Sequence, residues 1–165
     1  MLDGGHMSKP TRLLLSLAAA LGLTAVGVAT AGTASAVEPN IVNSDLRSGA
    51  SLCATPYGGS GADGTYVTQW TCNGDSSQRW SWSGSRIVNQ ASGKCLTPSG
   101  GGKANGTILT LWTCNGDPSQ SWDYASGYLR NKNSGKFITS YGGSASDGAN
   151  LTLWEYSGND AQHWR

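Results

Sequence analysis

One tripeptide returns in this chain at a fixed interval. Gln78-Arg79-Trp80, Gln120-Ser121-Trp122 and Gln162-His163-Trp164 follow one another every 42 residues. The same step relates Trp70, Trp112 and Trp154, then Thr55, Thr97 and Thr139, then Gly64, Gly106 and Gly148. A period of this length with no slippage means one supersecondary unit repeated three times. The repeats are expected at about 44–82, 85–124 and 127–165, in one domain spanning 37–165.

What precedes the repeats reads as an address. Lys9 and Arg12 form a positive region, 13–28 is an apolar run, and Ala34-Ser35-Ala36 is a small-residue cleavage site. That order predicts a secretory signal peptide over 1–36 and an extracellular, secreted protein. Ser16, Gly22, Thr24 and Gly27 interrupt the run, which makes it a poor membrane span. Met7 is a second candidate start, ahead of the charged region.

Charge narrows the partners. The 11 basic and 10 acidic residues leave a net charge of +1, with neither sign clustered. Nucleic acid would require a basic stripe, and an anionic membrane surface a basic face. Neither partner is expected.

The four cysteines lie in the first two repeats, and the repeat selects among their three connectivities. Cys53 and Cys72 are 19 residues apart, as are Cys95 and Cys114. Pairing within each repeat gives Cys53–Cys72 and Cys95–Cys114, consistent with an oxidising compartment. Zinc is disfavoured, because CxxC spacing is missing and His163 is the one histidine after the signal. In the third repeat Phe137 and Tyr156 occupy the cysteine positions. They are expected to pack on each other.

Short runs split by glycine turns predict four strands per repeat. In the second repeat these are 86–89, 94–97, 107–113 and 120–124. Ile41-Val42 is a candidate edge strand in the lead-in. No helical period occurs after residue 37, so the fold class is all-β, closed or partly closed into a barrel. Asp63-Gly64, Asn105-Gly106 and Asp147-Gly148 read as tight reversals before each third strand.

The threefold Gln-x-Trp, with Cys-Leu-Thr at 95–97 and Trp-Thr-Cys-Asn-Gly at 70–74 and 112–116, resembles the ricin B-type β-trefoil lectins. These include the family 13 carbohydrate-binding modules. The resemblance covers residues 37–165. It implies a β-trefoil of twelve short strands in three pseudo-symmetric repeats, with the motif Gln and Trp residues structural. It also implies a glycan or polysaccharide partner and no cofactor.

In lectins of this kind each repeat carries an Asp after the first cysteine, a polar residue and an aromatic on the third strand, and an Asn before the motif Gln. The aromatic remains here as Trp70, Trp112 and Trp154. Strand alternation places Thr68, Thr110 and Thr152 on the same face as these rings, with Leu109 and Leu111 opposite. Gln69 breaks that alternation. The Asp positions hold Thr55, Thr97 and Thr139, and the Asn positions hold Ser77, Ser119 and Ala161. Asp75, Asp117 and Asp160 stand in the loop before each Gln, as replacement acids or as turn formers. Tyr57 and Tyr141 offer a second aromatic wall, and Ser99 stands in that place in the second repeat. The first pocket (Tyr57, Thr68, Trp70, Asp75, Ser77) is expected to be the most competent, followed by the second and then the third.

The leading expectation is a secreted, monomeric, lectin-like protein with up to three weak sites and avidity for a polymer. The alternative is a degenerate trefoil that binds protein, such as a separately encoded enzyme. No catalytic or metal residues are assigned. His163 matches Arg79 and Ser121 in the other repeats, which marks it as a variable surface position, and a glycosidase needs a dedicated carboxylate pair.

Overall fold

The protein is represented by a computed structural model that describes residues 42–43 and 52–165. The expected signal segment, Ile41 and residues 44–51 lie outside the described residues. Among those described, eleven strands form three antiparallel sheets. β1 (Val42–Asn43), β2 (Leu52–Pro56) and β3 (Val67–Thr71) make the first. The second comprises β4 (Trp80–Ser83), β5 (Arg86–Asn89), β6 (Cys95–Pro98) and β7 (Leu109–Trp112). The third comprises β8 (Trp122–Ala125), β9 (Tyr128–Asn131), β10 (Phe137–Ser140) and β11 (Leu151–Trp154). The place of a twelfth strand holds a single bridge between Tyr128 and His163.

The third strands of the repeats close the molecule. Bridges Tyr66–Thr110, Ile108–Thr152 and Thr68–Asn150 join β3, β7 and β11 in a ring. Each glycine reversal is tied to the next repeat. Gly64 N–H donates to the Leu111 carbonyl, Gly106 to Leu153 and Gly148 to Gln69, all at 2.8 Å. These three glycines have φ of +81°, +82° and +81°, a region that a Cβ makes costly. The acid or amide before each glycine is a clamp as well as a turn former. Asp63 accepts from Thr113 Oγ1 and Lys94 Nζ, Asn105 from Glu155 N, and Asp147 from Thr71 N and Oγ1.

The core is built from equivalent residues of the three repeats. Trp80, Trp122 and Trp164 are buried among Ile87, Leu96, Leu109, Leu111, Ile138, Leu151 and Leu153. A buried indole N–H needs an acceptor, and each finds one carbonyl: Ala54, Leu96 and Ile138, at 2.9, 3.0 and 3.2 Å. The motif glutamines bind backbone and side chain together. Gln78 Nε2 donates to Thr55 Oγ1 and the Thr71 carbonyl, while its Oε1 accepts from Asn73 N. Gln120 and Gln162 repeat the arrangement with Thr97 and Thr139. The motif is therefore a brace that fixes the loop before it.

Both disulfides, Cys53–Cys72 and Cys95–Cys114, are formed as the repeat arithmetic predicts. In the third repeat Phe137 and Tyr156 pack on each other at a tilt of 56°, with ring centroids 5.3 Å apart. His163 is not a plain surface position. It is half-buried, hydrogen-bonds the Tyr128 hydroxyl through Nε2, and meets that ring edge-on at 4.4 Å.

Gln69 occupies the position of Leu111 and Leu153 and is fully buried. Its Nε2 donates to the carbonyls of Ser144 and Ser146 at 2.6 and 3.2 Å. Its Oε1 has no hydrogen-bond partner among the described residues. The broken alternation thus places an amide across the junction between the first and third repeats.

Candidate sugar-binding cavities

Each repeat opens one cavity between its third strand and the loop braced by its motif Gln. The first, about 480 Å³, is lined by Thr55, Tyr57, Thr68, Trp70, Asp75 and Ser77, together with Pro56, Asn73, Gln78 and two glycines. The second, about 190 Å³, brings together Thr97, Thr110, Trp112, Asn115, Asp117 and Ser119. The third, about 390 Å³, contains Thr139, Tyr141, Trp154, Ser157 and Asn159. Thr152 does not line it. That side chain is fully buried and its Oγ1 donates to the Thr139 carbonyl.

The tryptophans are half exposed: Trp70 43%, Trp112 46% and Trp154 40%. One ring edge is fixed by the neighbouring repeat. Cζ3 of Trp70, Trp112 and Trp154 lies 3.5, 3.9 and 3.6 Å from where a Cβ would stand on Gly148, Gly64 and Gly106. Each indole is thus packed along one edge and open along its length.

Opposite Trp70 stands Tyr57, 66% exposed, at the head of the tight turn Tyr57–Gly59. Gly58 and Gly59 there have φ of +61° and +68°, so the reversal depends on glycine. Tyr141–Gly143 is built in the same way, and Ser99–Gly101 repeats the backbone without the ring. The missing ring accounts for a difference in size. The third cavity is larger than the second because Tyr141 walls it and Ser99 does not wall the second.

The threonines in the Asp positions are engaged internally. Thr55 Oγ1 donates to the Cys53 carbonyl at 2.9 Å and accepts from Gln78 Nε2 at 3.1 Å. Thr97 and Thr139 do the same with Cys95 and Gln120, and with Phe137 and Gln162. Thr68 and Thr110 donate to the carbonyls of Thr55 and Thr97. These hydroxyls have no proton to spare, and each Asp-position oxygen keeps one lone pair.

The loop acids both cap and line. Asp75 precedes the turn Ser76–Gln78, and its Oδ1 accepts from Ser77 N at 2.7 Å. Asp117 does the same for Pro118–Gln120 through Ser119 N at 2.8 Å. In both, the serine hydroxyl two residues on also lies against the carboxylate. The Ser77 backbone N–H and then its hydroxyl hold Asp75 below the usual carboxylate pKa, with help from Arg79. The Ser119 hydroxyl and then its N–H do so for Asp117, helped by Lys103. Both are charged at neutral pH. The third repeat differs from the expected pattern. The residue in register with Asp75 and Asp117 is Asn159, before the turn Asp160–Gln162, and Asp160 stands one place further on. The third cavity therefore has an amide where the others have a carboxylate.

A family model, the ricin-type β-trefoil lectin domain, matches residues 42–164. The chain belongs to this family. A designed threefold-symmetric protein, ThreeFoil, is 30% identical over 69% of this chain and 89% of its own, with a TM-score of 0.64. An exo-β-1,3-galactanase from Clostridium thermocellum is 31% identical over 78% of this chain, with a TM-score of 0.68. This chain spans 29% of that enzyme's length. The agglutinin of Abrus precatorius is 27% identical over 69% of this chain and 43% of its own, with a TM-score of 0.62. A search of curated proteins returns no match.

Proposed function

We propose that this ricin-type trefoil is a secreted, non-catalytic carbohydrate-binding protein with three sites built on Trp70, Trp112 and Trp154. The observation that carries the reading is the first cavity. There a half-exposed indole, a second ring at Tyr57 and the charged carboxylate of Asp75 surround one opening. A pyranose needs an aromatic face for its C–H surface and a few fixed polar groups for its hydroxyls. A charge-assisted bond to Asp75 or Asp117 is about twice as strong as one to a neutral threonine. The acid has thus moved from the position after the first cysteine to the loop before the motif Gln. Per-site affinity is weak because each cavity is open and has one charged acceptor at most. A repeating polysaccharide that engages several sites gains by avidity. A homologue of type II ribosome-inactivating proteins from Momordica charantia, 28% identical to this chain, is known in complex with α-methyl-D-galactoside. That supports sugar as the ligand class. The catalytic activity of the galactanase is not carried over to this chain.

One observation favours a protein-binding trefoil instead. All three Asp-position hydroxyls are engaged internally. The two readings separate in one experiment. Purified protein and a Trp70→Ala/Trp112→Ala/Trp154→Ala variant are tested on immobilised polysaccharides, with amide spectra to establish folding. Retention of the wild type with release of the folded variant supports the sugar reading. Equal retention of the two overturns the tryptophan platforms, and retention of neither on any polysaccharide overturns the sugar reading.

A further inference from the structure

Threefold symmetry breaks most strongly at one place, where the second repeat passes into the third and away from the tryptophan cavities. Asp123, Tyr128 and Arg130 replace Ser81, Arg86 and Val88 of the equivalent hairpin, and Phe137 and Tyr156 replace Cys95 and Cys114. Two rings are enough to fill the space of a disulfide. The other three changes are not needed for that. Yet all five residues line one open cleft of about 610 Å³ that shares no residue with the three tryptophan cavities.

Strand register explains the convergence. Asp123 pairs with Arg130 across β8 and β9, and Arg130 with Phe137 across β9 and β10. Directly opposed residues share a face, and Tyr128, two residues before Arg130, shares it too. Tyr128 meets Tyr156 and Phe137 edge to face, with centroids 5.1 and 6.1 Å apart, while Tyr156 is 59% exposed. Arg130 Nε and Nη2 donate to Asp123 Oδ1 and Oδ2 at 3.1 and 2.6 Å. That fork leaves further N–H groups on the guanidinium and further lone pairs on the carboxylate. At the rim, Ser126 has φ of +52°, where the sister hairpin uses Gly84 at +63°. A hydroxyl is kept at a position where glycine would be less strained.

We propose that this cleft is a fourth carbohydrate site, which takes a neutral pyranose. The sugar's C–H face lies on the Tyr156 and Phe137 rings, and two adjacent hydroxyls bridge the Asp123–Arg130 fork. The fork favours a neutral polyol over an ion. Its charges cancel, so it attracts neither sign, while it offers a donor and an acceptor side by side. The site does not depend on the tryptophan cavities.

The test is residue-resolved. Amide spectra of the full chain and of the triple tryptophan variant are recorded during titration with the methyl glycosides of galactose, glucose, mannose and xylose. The amides of residues 123–130 and 156 should shift saturably with at least one glycoside in both proteins. Arg130→Gln, and independently Asp123→Asn, should remove those shifts from a spectrum that still reports a folded chain. The inference fails if no glycoside moves the cleft amides, or if both variants leave the response undiminished. A response at the tryptophan cavities alone overturns the fourth site and leaves the lectin reading standing. A response at the cleft alone upholds the fourth site and overturns the tryptophan cavities as sugar sites.

Discussion

The indole of Trp70 lies over Gly148, a residue of another repeat, with Cζ3 3.5 Å from the place a Cβ would take. The same contact joins Trp112 to Gly64 and Trp154 to Gly106. Each candidate sugar platform is therefore packed along one edge against its neighbour. Gly148→Ala separates backbone strain from ring position. At φ of +81° an alanine costs about 1–2 kcal/mol, yet 3.5 Å is an ordinary contact that leaves the ring in place. Urea unfolding should show that loss, while polysaccharide affinity stays at the wild-type value.

Much of this fold was legible because the period is exact to the residue. The shared step of 42 gives the disulfide pairs and the repeated tryptophans, while the structural role of the motif Gln and Trp follows from the resemblance to ricin-type lectins. The same arithmetic applied to Asp75 and Asp117 gives Asn159; choosing Asp160 for its charge overrode the register. Contacts between repeats were not legible. Nothing local in the sequence says that Asp63 clamps Thr113, 50 residues away. Nor does it say that Thr55 spends its proton on its own strand. These contacts depend on where the ring closes.

Gln69 is the clearest departure from core symmetry, and replacing it should help. A buried acceptor without a partner costs about 1–3 kcal/mol, and Gln69 Oε1 is one. The carbonyls it serves have other donors: Ser140 Oγ for Ser144 and Ala149 N for Ser146. Gln69→Leu restores the residue type found at 111 and 153 and should raise stability by about 1 kcal/mol. A urea midpoint equal to or below the wild type would show that the amide is worth more at this junction than its orphan oxygen costs.

Acid should weaken the fold and the first two sites together. Asp75 and Asp117 have folded pKa values below the ordinary 3.8. Groups depressed in this way contribute stability above the unfolded value and lose it as pH falls through the folded one. Asp63, bonded by Lys94, and Asp123, bonded by Arg130, act in the same direction. Unfolding midpoints should hold steady above pH 3.8 and decline below it. Amide shifts induced by sugar should fade around Trp70 and Trp112 in that window. They should persist longer around Trp154, where Asn159 carries no proton to titrate. Uniform loss at all three in a chain whose amide spectrum is still folded would mean that the loop carboxylates do not contact the ligand.

The second cavity provides a gain-of-function test. Ser99–Gly101 follows the same path as Tyr57–Gly59, with Gly100 and Gly101 at φ of +60° and +68°. A tyrosine at 99 should therefore project as Tyr57 and Tyr141 do, without backbone rearrangement. Ser99 is exposed, so the added ring displaces nothing from the core. An aromatic wall opposite Trp112 contributes about 1 kcal/mol beyond its area, or roughly fivefold in affinity. Ser99→Tyr should tighten the second site by that factor, and Tyr57→Ala should loosen the first by a similar one. Both can be read from site-resolved titrations with a methyl glycoside. Because the two substitutions are expected to act in opposite directions on equivalent positions, a shared effect on stability cannot imitate the result. If neither changes affinity, sugar does not enter between the two rings, and Trp112 and Trp70 act alone or serve another ligand.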